Sequence, residues 1–278
     1  SLALATSITR LALICAHEIF FSSARFVQYV KKLSMATTVD IVIPVLNEEV
    51  ALPVCIEKLL AFTADYPERH WRIVVADNGS TDHTTEIASE LSEVHSNISL
   101  SRLEQRGRGR ALKKAWGESG ADVRLYMDVD LSTDLKALPP MVAAIADDGY
   151  EVAIGSRLTK GSEGVDRTLK REITSRGYNI LIHIFFPLTK WKDAQCGFKA
   201  ISRRTAENIL PLVEDNAWFL DTELLLLAGN AGYGIKEIPV HWEDDPDTRV
   251  KIISTAWKDV KGLLRLRFKG RRVPPSIS

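Results

Sequence analysis

The sequence predicts an α/β protein: a Rossmann-like, mostly parallel sheet flanked by helices, in a single domain. Three observations predict it. From Val39 onward, short β-branched runs alternate with segments of helical spacing, the order that builds a parallel sheet with right-handed crossovers. The runs are apolar throughout rather than alternating, as strands buried on both faces are. Polar, chemistry-bearing residues follow each run directly, at the carboxyl edge where such sheets bind ligands.

Each element follows from its residues. "VDIVIPV" reads as the first strand. In "NEEVALPVCIEKLLAFTAD" Leu52, Ile56, Leu59 and Leu60 share a helical face, and Asn47, Glu48 and Glu49 suit a helix start. "WRIVVAD" is the second strand. "NGSTDHTTEIASELSEV" gives a turn and a helix with Asp82 or Thr81 as cap. "ISLSRLE" is the third strand, "RGRGRALKKAWGES" a Gly-Arg loop entering a helix, and "DVRLYMDVD" the fourth strand, ending on acids. Beyond it, "EVAIGSR" reads as a strand ending on Arg157 and "TLKREITSRGYNILIHIFFPLT" as a long helix. "DAQCGFKAISRRTAENIL" reads as a tight glycine turn entering a helix, and "WFLDTELLLLAGNAGYGIKEIPVHW" as helix, turn and edge strand. The expected division is 1–36, a surface helix or a non-native leader ahead of the domain start after Met35; 37–251, the α/β domain; and 252–278, a basic amphipathic tail.

Composition narrows the function. The 278 residues are 45% hydrophobic and 26% charged with net charge +0, so no polyanionic partner is demanded. The basic residues concentrate in one terminal stretch, "KDVKGLLRLRFKGRR", which argues against nucleic-acid binding. The three cysteines are widely spaced, so Cys55 and Cys196 read as core residues in a reduced, cytoplasmic setting. No His/Cys grouping has zinc spacing, and neither a phosphate-binding GxxxxGK[ST] loop nor a dinucleotide fingerprint is present. The apolar N-terminal stretch is interrupted by Arg10, His17, Glu18 and Arg25, leaving no run long enough to span a bilayer and no secretory signal. Two readings of the tail stand side by side. In one it lies on an anionic membrane surface, dipping Leu263, Leu264, Leu266 and Phe268 and presenting Lys258, Lys261, Arg265, Arg267, Lys269, Arg271 and Arg272 to headgroups, which would make the protein peripheral on the cytoplasmic face. In the other it packs on the domain with a solvated basic end.

The stretch "RLYMDVDLSTD" carries the chemistry. Two carboxylates, Asp128 and Asp130, stand at a strand end, where they repel each other unless a cation lies between them. Mg²⁺ or Mn²⁺, which take oxygen ligands and share them with phosphates, fit such a pair. A D-x-D alone leaves a solvated strand-end pair open as the bland reading.

Taken together, "VDIVIPVLNEE", "VVADNGSTDHT", "RGRGRALKKAW", "YMDVDLSTD" and "DAQCGFKAI", in this order and spacing, resemble the inverting family 2 glycosyltransferases of the GT-A fold. "GSR", "DAQCGFK" and the Asp-x-Glu of "FLDTELL" resemble the dolichyl- or polyprenyl-phosphate hexosyltransferases among them. The resemblance runs from Val39 to Lys251. It implies transfer of a hexose from a nucleotide sugar to polyprenyl or dolichyl phosphate, with inversion and a divalent metal cofactor. It implies that Pro44, Asn47, Glu48, Asp77 and Gly79 surround the nucleoside, Asp77 accepting a base N–H. Arg108 and Lys113 would face the donor's phosphates or sugar, Asp128 the ribose or the metal, and Asp130 the metal. Some relatives have a glutamine where this chain has Ser132, which leaves the third metal ligand open.

For the acceptor phosphate the resemblance implies Arg157, Arg171 and Ser175, the latter two one helical turn apart. The bland reading of Arg157 and Arg171 is an ion pair with Asp193 or Asp221. Arg249 and Lys251 match a basic segment that closes over the donor. A phosphate acceptor is already ionised and needs no strong base; for a sugar-hydroxyl or small-molecule acceptor, the alternative reading, Asp193 is the candidate base. Asp221 and Glu223 are expected to brace Arg157 or Arg171, and His183 to be a packing residue. The choice between UDP-glucose and GDP-mannose stays open, because a base-binding aspartate serves uracil and guanine alike, although "DVDLSTD" and "DAQCGFK" resemble the glucosyl-type relatives a little more. Oligomeric state is left open.

Overall fold

The computed structural model describes residues 36–165, 169–243 and 252–268, with side chains at 36–162, 176–243 and 257–268. By contacts the chain divides at Thr37/Thr38, and everything below concerns the unit from Thr38 onward. Its strands are β1 (Thr38–Val45), β2 (His70–Asp77), β3 (Ile98–Arg102), β4 (Val123–Met127), β5 (Val152–Ser156), β6 (Glu163–Val165), β7 (Phe198–Ser202), β8 (Ile235–Pro239) and β9 (His241–Glu243). Its helices are α1 (Ala51–Ala64), α2 (Thr84–Val94), α3 (Arg108–Glu118), α4 (Leu138–Ala146), α5 (Leu169–Phe185), α6 (Arg203–Asn208), α7 (Leu220–Asn230) and α8 (Ile252–Phe268).

Seven strands form one sheet in the order β3-β2-β1-β4-β7-β5-β8, while β6 and β9 pair in parallel as a separate ribbon. All neighbours in the large sheet are parallel except β7, which runs antiparallel to both β4 and β5. The apolar runs are strands because both faces are covered. Ile41 and Ile43 of β1 face a layer built by α1 and α4, whereas Val42 faces Ala111, Leu112 and Trp116 of α3 together with α5 and α7. Burying each such side chain contributes roughly 1.5–3 kcal/mol, which fixes the register because a one-residue slip would exchange the two faces.

The sequence reading carried the glycine turn of "DAQCGFKAIS" straight into a helix; the structure instead makes Phe198–Ser202 a central strand. Local pattern could not reveal it. Lys199 breaks the apolar run, and it is buried only because Cys196 O accepts its hydrogen bond at 2.5 Å and Asp221 lies 3.3 Å away. The insertion has a consequence for the site: Phe198 pairs with Met127, so the turn at Cys196-Gly197 abuts Asp128 at the end of β4.

The tail packs on the domain through α8. Asp259 and Leu263 are buried, and a Cβ at Gly262 would stand 2.5 Å from the Phe219 ring. Arg265 bridges to Glu214 at 2.5 Å and to Glu223 at 2.8 Å. This corrects the membrane-dipping set: Leu263 faces the core and Leu266 packs partly against it. Among the described residues no helix is long and apolar enough to cross a membrane.

Candidate active site

The carboxyl ends of β1, β2 and β4 lie side by side, and the loops leaving them are tied together. After β1, Asn47 adopts a left-handed conformation (φ 57°), and its side-chain oxygen accepts the Thr81 N–H at 2.8 Å. The backbone N–H groups of Asn47 and Glu48 donate to the hydroxyls of Ser80 (3.0 Å) and Thr84 (2.8 Å). These contacts, rather than a helix cap, hold the Asn47–Glu49 segment, and α1 begins only at Ala51. Pro44 is a half-buried member of β1, paired with Ala76. Asp77 ends β2 fully buried; its carboxylate accepts the Ser80 N–H at 2.9 Å and the Thr85 hydroxyl at 2.6 Å. For Asp77 to meet a base, part of that arrangement must open. Gly79 turns the chain beside it with φ +78°.

Beyond β4 the chain turns sharply. Leu131 N–H bonds Asp128 O at 3.3 Å, and Leu131 itself takes φ 55°, a conformation that costs a non-glycine residue about 1 kcal/mol or more. The β9 strand holds this turn: Glu243 N–H donates to Ser132 O at 2.9 Å, Asp134 N–H donates to His241 O at 3.1 Å, and Thr133 bridges Trp242. Asp130 projects from the turn exposed, with Oδ1 accepting the Ser132 N–H at 2.9 Å. Asp128 is drawn inward. Its Oδ1 accepts from Arg108 at 2.7 Å, and its Oδ2 rests against Gly197, where a Cβ would come within 1.9 Å.

Arg108 enters from the first residue of α3. Its guanidinium lies between the Tyr126 and Trp218 rings, 4.9 and 4.8 Å from their centroids, and reaches Asp221 at 3.4 Å. Burial alone would lower its pKa, but the negative field of Asp128 and Asp221 outweighs that and raises it. Asp221 also accepts the Tyr126 hydroxyl at 2.6 Å, and buried Lys199 lies 3.3 Å from it. Arg157 sits nearby, close enough for Asp128's charge to act on it. It grips Asp193 through Nε at 2.8 Å, Nη2 at 2.9 Å and its own backbone N–H at 3.0 Å, and stacks 5.2 Å from the Trp242 ring centroid. Asp193 also accepts the Gln195 N–H at 3.2 Å. Burial pushes the Asp193 pKa up, but the charge and hydrogen bonds of Arg157 prevail and hold it below the ordinary carboxylate range.

Of the residues singled out in the sequence, the structure brings Arg108, Asp128, Asp130, Arg157 and Asp193 to one rim, beside the loops carrying Asn47, Glu48, Asp77 and Gly79. It does not bring Lys113, which turns to Val213 O at 3.1 Å, a placement that burial marks by lowering its pKa. The bracing of Arg157 expected of Asp221 and Glu223 is corrected, since Arg157 pairs with Asp193; Asp221 serves Arg108, Tyr126 and Lys199, Glu223 serves Arg265 and the Asp215 N–H, and a brace to Arg171 lies outside the described residues. Arg171 and Ser175 lie on α5, with side chains outside the described residues, and Arg249 and Lys251 are outside them altogether. His183 packs edge-on to Trp191 and bonds Asn179 O at 2.7 Å. Sequence reasoning missed Tyr126, Trp218, Trp242 and Lys199 as parts of the site, and read Gly197 only as the glycine of a tight turn.

Asp128 and Asp130 offer oxygen donors only, and among the described residues no group of three or more His, Cys, Asp or Glu forms a ready metal site. That set fits a hard cation held by one or two carboxylates and completed by substrate phosphates, as Mg²⁺ and Mn²⁺ are. It does not fit a self-contained zinc or calcium cage.

Comparison with known proteins agrees with this geometry. The profile described as Glycosyl transferase family 2 matches residues 40–210. Glycosyltransferase AglD of Haloferax volcanii is 37% identical over 230 residues, 81% of this chain but only 35% of AglD. The dolichyl-phosphate beta-glucosyltransferase of Dictyostelium discoideum is 28% identical over 83% of this chain and 74% of its own length. Among solved structures, glucosyl-3-phosphoglycerate synthase from Mycobacterium tuberculosis, in complex with Mn²⁺, UDP and phosphoglyceric acid, superposes with a TM-score of 0.60. It covers 86% of this chain and 80% of the synthase at 17% identity, a likeness of fold. The chain belongs to glycosyl transferase family 2 and is a glycosyltransferase of the GT-A fold.

Proposed function

We propose that this glycosyltransferase moves a hexose from a nucleotide sugar, UDP-glucose or GDP-mannose, to a polyprenyl or dolichyl phosphate at the cytoplasmic face of a membrane. The observation that carries the acceptor assignment is the Arg157–Asp193 lock. Asp193 is the carboxylate best placed to act as a base, yet its oxygens are occupied by Arg157 and Gln195 and its pKa is depressed, which makes it a poor proton acceptor. Its effect is to aim a cation. A phosphate acceptor, already ionised, needs a cation and not a base; a sugar hydroxyl needs the reverse. The names of the relatives support the same acceptor.

The residues divide the work accordingly. The Asn47–Glu48 and Asp77–Gly79 loops border the nucleoside, with Pro44 beneath. Asp130 and Asp128 would hold Mg²⁺ or Mn²⁺, which when bound supplies Lewis-acid charge to the departing diphosphate. Arg108 fixes Asp128 while remaining charged itself. Arg157 orients the acceptor phosphate, and Arg171 with Ser175 extends that anion site along α5. The acceptor oxygen attacks the anomeric carbon from the face opposite the diphosphate, the C–O bond to the diphosphate breaks, and configuration inverts.

A donor panel tests this. Wild type and Asp130→Ala are incubated with UDP-glucose or GDP-mannose, with Mg²⁺, Mn²⁺ or a chelator, and nucleoside diphosphate release is followed. Metal-dependent release from one donor, lost in Asp130→Ala, is expected. Release indifferent to chelator, or intact in the variant, would refute the metal assignment.

A further inference from the structure

The helix α8 has two opposite faces of apolar character, and only one of them is used. Asp259, Gly262, Leu263 and Leu266 form the face that packs on the domain. On the opposite side, at helical spacing, stand Trp257, Lys261, Leu264 and Phe268. Trp257 is 62% exposed, Leu264 37% and Phe268 78%, unusual values for such large apolar groups in one row. Lys261 lies 5.6 Å from the Trp257 ring centroid, and Lys258 and Arg267 flank the row, both exposed. The one acid between Trp257 and Phe268 is Asp259, and it points inward. The neighbouring helix α5, joined to α8 where Tyr178 bonds Asp259, exposes Ile180 and Ile184, and Leu188 follows it exposed.

We propose that the outward row Trp257–Lys261–Leu264–Phe268 is a docking surface for an anionic lipid bilayer. The charge decides the occupant. An aromatic and aliphatic row edged by cations, on a helical stretch whose single acid is buried, matches the interface of a negatively charged leaflet, where apolar groups enter the headgroup boundary and each lysine or arginine gains from the surface potential. A protein partner covering the same row would have to offset Lys258, Lys261 and Arg267 with its own acids. The inference deepens the acceptor reading, on which its purpose rests: a bilayer-borne phosphate must be met at the membrane. The surface differs from the one expected from sequence, since Leu263 and Leu266 are committed to the domain.

The test is co-sedimentation of the full chain with phosphatidylcholine vesicles, with and without phosphatidylglycerol and without any polyprenyl phosphate, so that this inference and the acceptor reading fail separately. Wild type is compared with Trp257→Glu/Phe268→Glu and with Lys258→Glu/Lys261→Glu. Circular dichroism melts confirm that both variants fold, and metal-dependent donor turnover without lipid stays at the wild-type value. Wild type is expected to bind phosphatidylglycerol vesicles in a salt-sensitive way, and each variant to bind on the order of tenfold more weakly. Equal binding by wild type and variants, equal binding to neutral vesicles, or no binding at all would overturn the proposal. So would a concentration-dependent dimer that the Trp257→Glu/Phe268→Glu variant abolishes, because the row would then cover a second copy.

Discussion

Replacing Gly197 with alanine puts a methyl group where the Asp128 carboxylate now rests, 1.9 Å from Oδ2. No left-handed conformation is recorded at Gly197, so the backbone accepts alanine and the carboxylate must swing away. What is lost is the charged hydrogen bond from Arg108 at 2.7 Å. A charge-assisted bond contributes roughly 1.5–3 kcal/mol, and the 44% exposure of the Asp128 side chain reduces that to about 1 kcal/mol. In a domain of this size the melting temperature should fall by only about 2–4 °C. Activity should suffer far more, because a displacement near 1 Å at a reacting centre costs on the order of 100-fold. The assay pairs thermal melts with nucleoside diphosphate release for Gly197→Ala, Asp128→Ala and the double variant. If Gly197 acts only through Asp128, the double variant is no slower than Asp128→Ala alone. Turnover within threefold of wild type in Gly197→Ala, or fully additive losses in the double variant, would refute the reasoning.

Three further outcomes follow from the same geometry. Asp130→Asn, at an exposed position, should leave stability within about 0.5 kcal/mol of wild type while abolishing metal-stimulated donor turnover, checked by melts and a metal titration. Asp193→Asn unpairs half-buried Arg157 from a fully buried partner and should cost about 3 kcal/mol in denaturant unfolding, yet the pH–rate profile should keep any acidic limb it has, since Asp193 is not the base. Asp259 titrates at about 7, raised by burial first and then by the charge of Asp215, with the Tyr178 hydrogen bond opposing. The folded state therefore keeps a proton that the unfolded chain releases near 4, and stability falls as pH rises from about 4 to 7 and levels off above. The full span is about 4 kcal/mol, and Asp259→Asn should flatten it and raise the melting temperature above pH 7.

Much of the fold was legible because parallel strands buried on both faces leave unbroken apolar runs, and the alternation with helices orders them. The strand β7 was not, because its antiparallel pairing with β4 and β5 is non-local and its second residue is a lysine whose burial depends on Asp221 far along the chain. The acidic pair and Arg157 were legible as polar residues directly after strands. Their partners were not, for a physical reason: Arg108 is held by Tyr126, Trp218 and Asp221 from three different elements, and nothing local in "RGRGRAL" distinguishes a residue that faces phosphate from one that clamps a carboxylate. Lys113 shows the converse error, in which a plausible cation one turn further along α3 is turned to a backbone carbonyl. The tail reads in sequence as one apolar and one basic face, but a helix apolar on two faces gives no sequence clue to which one meets the domain.

The central claim is that a lipid phosphate accepts the sugar, and the most direct measurement is transfer itself. Donor carrying a labelled hexose is incubated with metal and a short polyprenyl phosphate, and the organic-phase product is identified by mass spectrometry, for wild type and Arg157→Gln. A polyprenyl-phosphate hexose formed by wild type, with product falling on the order of 100-fold in Arg157→Gln while acceptor-free donor hydrolysis persists, is the predicted result. Label that stays in water while a sugar or other hydroxyl compound becomes glycosylated would contradict it.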